Sequence, residues 1–347
     1  MNKCGLSGKA LARACKCLNF DSSNRMPDLV LSFFRNFGFP ASAVTKIVAS
    51  DPRLLKEGHP EKIIRPKLDF LLSISQSQAE VVAIVTKNPL ILTRSLENHL
   101  KPFLDLLNSV TGSYLNTVSV LKYNPYILNQ NLPKNFLLNT QFLLTFGVPH
   151  SQILKLLRYY GMLLGVPHDK LRTFALKIKD MGFDLESSQF CDAIYALCFL
   201  PNSAWESRCL LFRSFGFSDQ EIHSMFRKKP LFMCFTEEKI TEKMEFFLNK
   251  LRWTTGRLSS CPSVLPYSLE KRTIPRCSVL QVLVSKNRTS ESYMLSSILP
   301  MTEKKFIENF VTAHRDEVPE VMEAYKGKLR FDEYTFKQKG QLRLKPL

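Results

Sequence analysis

A short phrase recurs along this chain at a nearly constant interval, and no other feature limits the fold as much. It reads Asp51-Pro52-Arg53-Leu54-Leu55, then Asn88-Pro89-Leu90-Ile91-Leu92, then Asn124-Pro125-Tyr126-Ile127-Leu128. It returns as Tyr160-Gly161-Met162-Leu163-Leu164, as Lys229-Pro230-Leu231-Phe232-Met233 and as Cys261-Pro262-Ser263-Val264-Leu265. The anchors Pro52, Pro89, Pro125 and Gly161 lie 37, 36 and 36 residues apart. Pro230 follows Gly161 by 69 residues, two periods with one degenerate copy around Ala193 to Pro201, and Pro262 follows 32 later. A fixed period in this range marks a solenoid, in which each unit buries its apolar face only by stacking on its neighbours. Function is then expected along an extended surface rather than in one pocket.

Each unit reads as helix, stop, apolar turn, helix. Between Gln78 and Lys87, Val81, Val82, Ile84 and Val85 give a helical apolar face. Asn88-Pro89 ends it, because proline disfavours helical geometry in the residue before it and has no N–H to donate. Leu90, Ile91 and Leu92 then predict a short buried turn, and a second helix is expected from about Leu96 to Leu107. Phe37-Gly38-Phe39, Phe146-Gly147-Val148, Met181-Gly182-Phe183 and Phe215-Gly216-Phe217 predict the ends of second helices, where a left-handed glycine caps the last turn. The expected class is all-α, a superhelical solenoid. Residues 1–29 read as a partial N-terminal repeat, 30–325 as the array and 326–347 as a basic tail.

Charge speaks to partners. Lys and Arg number 48 against 31 Asp and Glu, leaving +17 over 347 residues, a field that attracts polyanions. The excess has a pattern. Acids such as Glu61, Glu97, Asp169, Glu238 and Glu270 open the second helices, and bases follow at once. They are Lys62, Arg65, Lys101, Lys134, Lys170, Arg172, Arg208, Lys239, Lys243, Lys271 and Arg272, with Arg276 completing the set. One reading makes them a solvated face with local ion pairs worth roughly a few tenths of a kcal/mol. The other makes them phosphate contacts: cations gain nothing from a helix N-terminus, so stability does not select them there.

Other classes find little support. Nine cysteines form no CxxC pair, as expected of reduced, mostly buried thiols, and six histidines are spread singly. No Gly-rich phosphate loop, HExxH or GxSxG occurs, so neither an enzyme, a cofactor nor a metal site is expected. No run of apolar residues reaches membrane-spanning length.

The repeated phrase resembles that of the mitochondrial transcription termination factor (mTERF) family, in particular its large plant branch. The resemblance rests on Ser218-Asp219-Gln220-Glu221-Ile222 running to Lys229-Pro230-Leu231, on Glu237-Glu238-Lys239-Ile240 and on Ser268-Leu269-Glu270-Lys271-Arg272-Thr273-Ile274-Pro275-Arg276. Glu317-Val318-Pro319-Glu320-Val321 and Ala324-Tyr325-Lys326-Gly327-Lys328-Leu329 extend it. It implies a basic concave face that binds nucleic acid, duplex DNA or structured RNA, in a mitochondrion or chloroplast. The roles implied are transcription termination or regulation, splicing or RNA maturation, by a monomer with no small-molecule substrate. Cys4-Gly5-Leu6-Ser7 resembles the family's first repeat helix, so the chain reads as starting without its transit peptide. A protein-binding scaffold of HEAT or armadillo type is the alternative; it accounts for the architecture but not for the charge.

Overall fold

The computed structural model describes residues 12, 26–55, 59–129, 134–288 and 295–329, and the backbone of 336–339 and 341–344. The chain divides into two compact units, Met1–Thr173 and Phe174–Leu347. Most of the residues expected to form a partial first repeat lie outside the described residues.

In the first unit three repeats follow the predicted plan. Ala41–Ser50, Gln78–Lys87 and Tyr114–Tyr123 are first helices, and Pro52–Leu55, Pro89–Thr93 and Pro125–Asn129 are tight 3-10 turns behind them. Second helices follow at Arg65–Ile74, Lys101–Thr111 and Phe136–Thr145. Ile91 and Leu92, Ile127 and Leu128 are buried, while Leu90 and Tyr126 between anchor and turn face solvent. The asparagine ahead of Pro89 and of Pro125 has a use of its own. Asn88 is buried and its Nδ2 donates to the Pro125 carbonyl at 2.8 Å and to Asn129 Oδ1 at 2.9 Å. Asn124 also reaches into the following repeat, its Nδ2 donating to the Leu157 carbonyl at 3.2 Å in the helix ahead of Gly161.

The fourth anchor keeps its turn without proline. Gly161–Gly165 is a 3-10 turn behind His150–Tyr160. Gly161 is not there for a left-handed backbone, its φ being −53°. A Cβ at Gly161 would stand 2.8 Å from Asn124 Nδ2 and 3.0 Å from Ile127 Cδ1, so the preceding repeat leaves no room for a side chain.

The second unit holds the degenerate copy. Ser188–Phe199 runs through Leu200-Pro201 straight into Asn202–Ser214, with no 3-10 turn between them. Phe190 to Ile194 and Ala196 to Cys198 are all buried, so this first helix has almost no solvent face. The plan returns with Asp219–Lys228, Pro230–Cys234 and Glu237–Met244, then with Thr255–Ser260, Pro262–Val264 and Ile274–Ser285. Leu295–Ile298, Glu303–Phe306 and Glu320–Tyr325 pack on afterwards. The basic tail lies largely outside the described residues. The backbone of Phe336–Lys339 pairs antiparallel with that of Gln341–Leu344, a small hairpin that the all-helical expectation lacked.

The glycine caps behave as expected. Gly216 has φ 88°, and its two ends are closed by Gly216 N–H to the Arg213 carbonyl and Phe217 N–H to the Phe212 carbonyl. The second helices, however, do not begin smoothly. Pro102 and Pro275 follow wide π turns at Leu96–Leu100 and Leu269–Thr273. There Leu100 N–H bonds five residues back to Ser95 and Thr273 N–H to Ser268. A proline ring clashes with the carbonyl four residues earlier, and one wider turn relieves that clash. At Pro66 the same conflict breaks the helix into Pro60–Ile63 and Arg65–Ile74.

Candidate nucleic-acid interface

The side chains at the start of the second helices fall into two rows. The outer row is solvent-facing. Lys62, Lys134, Lys170, Arg172, Lys239 and Lys271 are all exposed. None has a side-chain ion pair or hydrogen bond among the described residues. Arg65 and Lys101 belong to the same row but hold partners. Arg65 forks onto the Glu61 carboxylate and covers the Phe33 ring at 5.0 Å. Lys101 Nζ donates to Glu97 Oε1 at 2.6 Å. The Glu61 carboxyl is held below its ordinary range, chiefly by the Arg65 hydrogen bond.

The inner row is turned to protein. In most repeats one polar side chain of the second helix donates to a carbonyl at the end of the next repeat's turn, 22 to 29 residues onward. Lys67 Nζ reaches the Leu92 carbonyl, and His99 Nε2, which must carry the proton here, reaches Leu128 at 2.7 Å. Asn139 Nδ2 holds both Leu164 and Val166, at 3.0 and 2.8 Å. Arg208 Nε donates to Phe235 at 2.8 Å and Lys243 Nζ to Tyr267 at 2.7 Å. Burial holds the Lys243 ammonium below the usual lysine range.

Arg276 ends the row and is the most deeply placed cation. It is 1% exposed, and its Nη1 donates to the carbonyls of Ile298 at 2.7 Å and Met301 at 2.9 Å. Nη2 meets Glu303 Oε2 at 2.6 Å, and the guanidinium lies 4.6 Å over the Phe306 ring. Tyr325 donates to the other Glu303 oxygen. The Glu303 carboxyl is held low, first by Tyr325 and then by Arg276, while burial and Glu303 push the Tyr325 hydroxyl up to about 12.

The twelve expected contact residues therefore separate. Arg208, Lys243 and Arg276 close one repeat onto the next, and Arg276 is sealed from solvent. Arg272 stands between the rows, half-buried, 5.4 Å over the Tyr267 ring and 3.4 Å from the Leu299 carbonyl. The other eight remain at the surface or close to it. Lys239 and Lys243 also border a cavity of about 380 Å³ with Tyr267, Ser268 and Glu270, between successive second-helix starts.

Sequence reasoning missed Lys67, His99 and Asn139 as members of the inner row. No shared local signal marks them: Lys67 lies between Pro66 and Leu68, and Asn139 between Leu138 and Thr140. Among the described residues, no group of three or more His, Cys, Asp or Glu could hold a metal ion, and no helix is long and apolar enough to cross a membrane. Cys191, Cys198, Cys209 and Cys277 are buried.

Repeats of helix, 3-10 turn and helix, tied in most units by a donor from the second helix, define an all-helical repeat protein. The mTERF family model matches residues 7–188 and 194–307, and the chain belongs to the mTERF family. The interruption between the two matched stretches falls in Ser188–Phe199, the first helix of the copy without a turn. Compared with curated proteins, the chain shows no match.

Proposed function

We propose that the protein binds nucleic acid through the outer row and so regulates gene expression in a mitochondrion or chloroplast, in transcription or in RNA maturation. Family membership supports the class of work. One observation carries the assignment of the surface: six exposed bases without protein partners stand at the start of second helices, while the bases one turn further in are engaged by carbonyls. A cation that pairs with nothing at a helix N-terminus adds no stability, so a polyanion accounts for its place. Phosphates are the natural ligands, since Lys and Arg at this spacing meet a backbone without reading bases.

Binding of duplex DNA and of structured RNA, measured by fluorescence anisotropy over a salt series, tests the reading. With five to seven phosphates engaged on duplex, log K should fall against log salt with a slope of roughly −4 to −6. A slope near zero, or no binding at low salt, would remove the proposal. Crosslinking and sequencing of nucleic acid bound in isolated organelles would then assign the target.

A further inference from the structure

The second unit contains a cavity that the outer row does not use. It measures about 570 Å³ and is lined by Lys177, Met181, Trp205, Gln220, His223 and Arg227. These come from the end of His168–Asp180, the first turn of Asn202–Ser214 and one face of Asp219–Lys228. No carboxylate lines it. The two acids that open Asp219–Lys228 are engaged elsewhere: Asp219 with Arg213 at 2.7 Å, and Glu221 with the Ser218 backbone in a capping box. The side chains of Lys177, His223 and Arg227 are exposed and have no ion pair or hydrogen bond among the described residues.

The cavity is held in shape from behind. The Trp205 indole stands edge-to-face on the buried Phe226 ring, 4.9 Å away at 88°. Arg227 lies across the end of the preceding helix, its Nη1 3.9 Å from where a Cβ on Gly182 would stand. The lining therefore combines the cations Lys177 and Arg227 with an indole, a thioether and an amide. A ligand that uses both kinds of side chain carries an anion joined to a planar ring with polar edges. A bare phosphate would leave the indole and most of the volume unused. The volume lies within the range of about 300–1,000 Å³ found for small-ligand sites. Arg and Lys suit phosphate oxygens, and Trp suits a base face.

We propose that this cavity binds a nucleoside monophosphate unit, with its phosphate on Lys177 and Arg227, its base on Trp205 and Gln220 at the base edge. The unit arrives as a free mononucleotide or as the 5′-phosphorylated end of a single strand. This site is separate from the outer row and does not rest on it, and it qualifies the expectation of no small-molecule ligand.

Calorimetry on the full chain with AMP, inorganic phosphate, and an oligothymidylate octamer with or without a 5′-phosphate tests it. AMP should bind saturably and at least about tenfold more tightly than inorganic phosphate, as stacking adds to charge. The double variant Lys177→Ala, Arg227→Ala should lose about tenfold or more in AMP affinity at an unchanged melting temperature, since both side chains are exposed. Trp205→Leu should weaken AMP but not inorganic phosphate. Tighter binding of the phosphorylated octamer than of its 5′-hydroxyl form assigns a strand end; equal octamers with AMP bound assign a free nucleotide. AMP no better than inorganic phosphate, or unaffected by the double variant, overturns the site. A duplex with 5′-hydroxyl ends should bind the double variant as it binds the parent, so loss of one site is read apart from loss of the other.

Discussion

Lys239 and Lys243 lie one turn apart on the same helix, and Lys271 and Arg276 stand in the same relation at the next second-helix start. Their surroundings are opposite. Lys239 and Lys271 face water, whereas Lys243 and Arg276 are buried against carbonyls of the following repeat. The difference shows that a repeat array asks two things of its bases. Stacked 3-10 turns leave carbonyls pointing at the neighbouring second helix, and a buried carbonyl without a donor costs about 1–3 kcal/mol. A long cation or an amide from the helix is the supply at hand. Only the bases beyond that contact are left for a ligand.

Removing the deepest member of the inner row should have the largest effect. Arg276→Met leaves the carbonyls of Ile298 and Met301 without their donor and takes Glu303 from its partner. Breaking a buried charged contact of this kind costs about 3–5 kcal/mol. Urea unfolding should show it, while Lys271→Met stays within about 0.5 kcal/mol of the parent. Acid sharpens the comparison. The Glu303 carboxyl is depressed in the folded state, so its contribution is full above about pH 4.3, its unfolded value, and fades as pH falls through the lower folded value. Glu303→Gln should lower stability at neutral pH and reduce the loss on acidification. If Arg276→Met and Lys271→Met unfold alike, the two rows are not distinct.

A smaller effect should come from crowding between anchors in the first unit. Gly161→Ala places a Cβ against Asn124 Nδ2 and Ile127 Cδ1, both in the preceding repeat. Ile127 is buried and cannot swing away, so about 1–3 kcal/mol should be lost, the range for overpacking. Gly112→Ala is the matching control for conformation alone, because a Cβ there meets nothing within 4 Å although φ is 76°. If Gly161→Ala keeps the stability of the parent, space is not what Gly161 provides, since its φ of −53° leaves no conformational penalty to explain a loss.

What could be read in the sequence was what the backbone enforces locally. Proline at 52, 89, 125, 230 and 262 stops the helix that runs into it, and glycine at 38, 147, 182 and 216 caps one, so period and phase were legible. The π turns were legible in principle from Pro102 and Pro275, since the ring clash is also local. The two rows were not. Lys239 and Lys243 are four residues apart and share a helix face by periodicity, which predicts equal exposure. Their depth is set by the turn of the next repeat, the segment around Tyr267, which lies 24 residues away from Lys243. Charge identity carries no information about that distance. The cavity beside Trp205 was hidden for the same reason, being assembled from three helices across a span that includes the copy without a turn.

The smallest effect belongs to a single member of the outer row, and it probes the comparison from the other side. Lys134→Ala and Lys170→Ala each remove an exposed ammonium with no partner among the described residues, from starts of different second helices. Stability should change by less than about 0.5 kcal/mol, because no packed contact is lost. Affinity for nucleic acid should fall only slightly, by a similar factor on every sequence, and the salt slope should flatten by about 1 for each phosphate contact removed. The slope is the sharper reading: it counts contacts, whereas a small affinity change is easily matched by altered long-range field. Arg276→Met, measured where the variant is still folded, should leave the slope as it was, since a sealed guanidinium releases no counterions. A slope that flattens in Arg276→Met but not in Lys134→Ala would exchange the roles of the two rows.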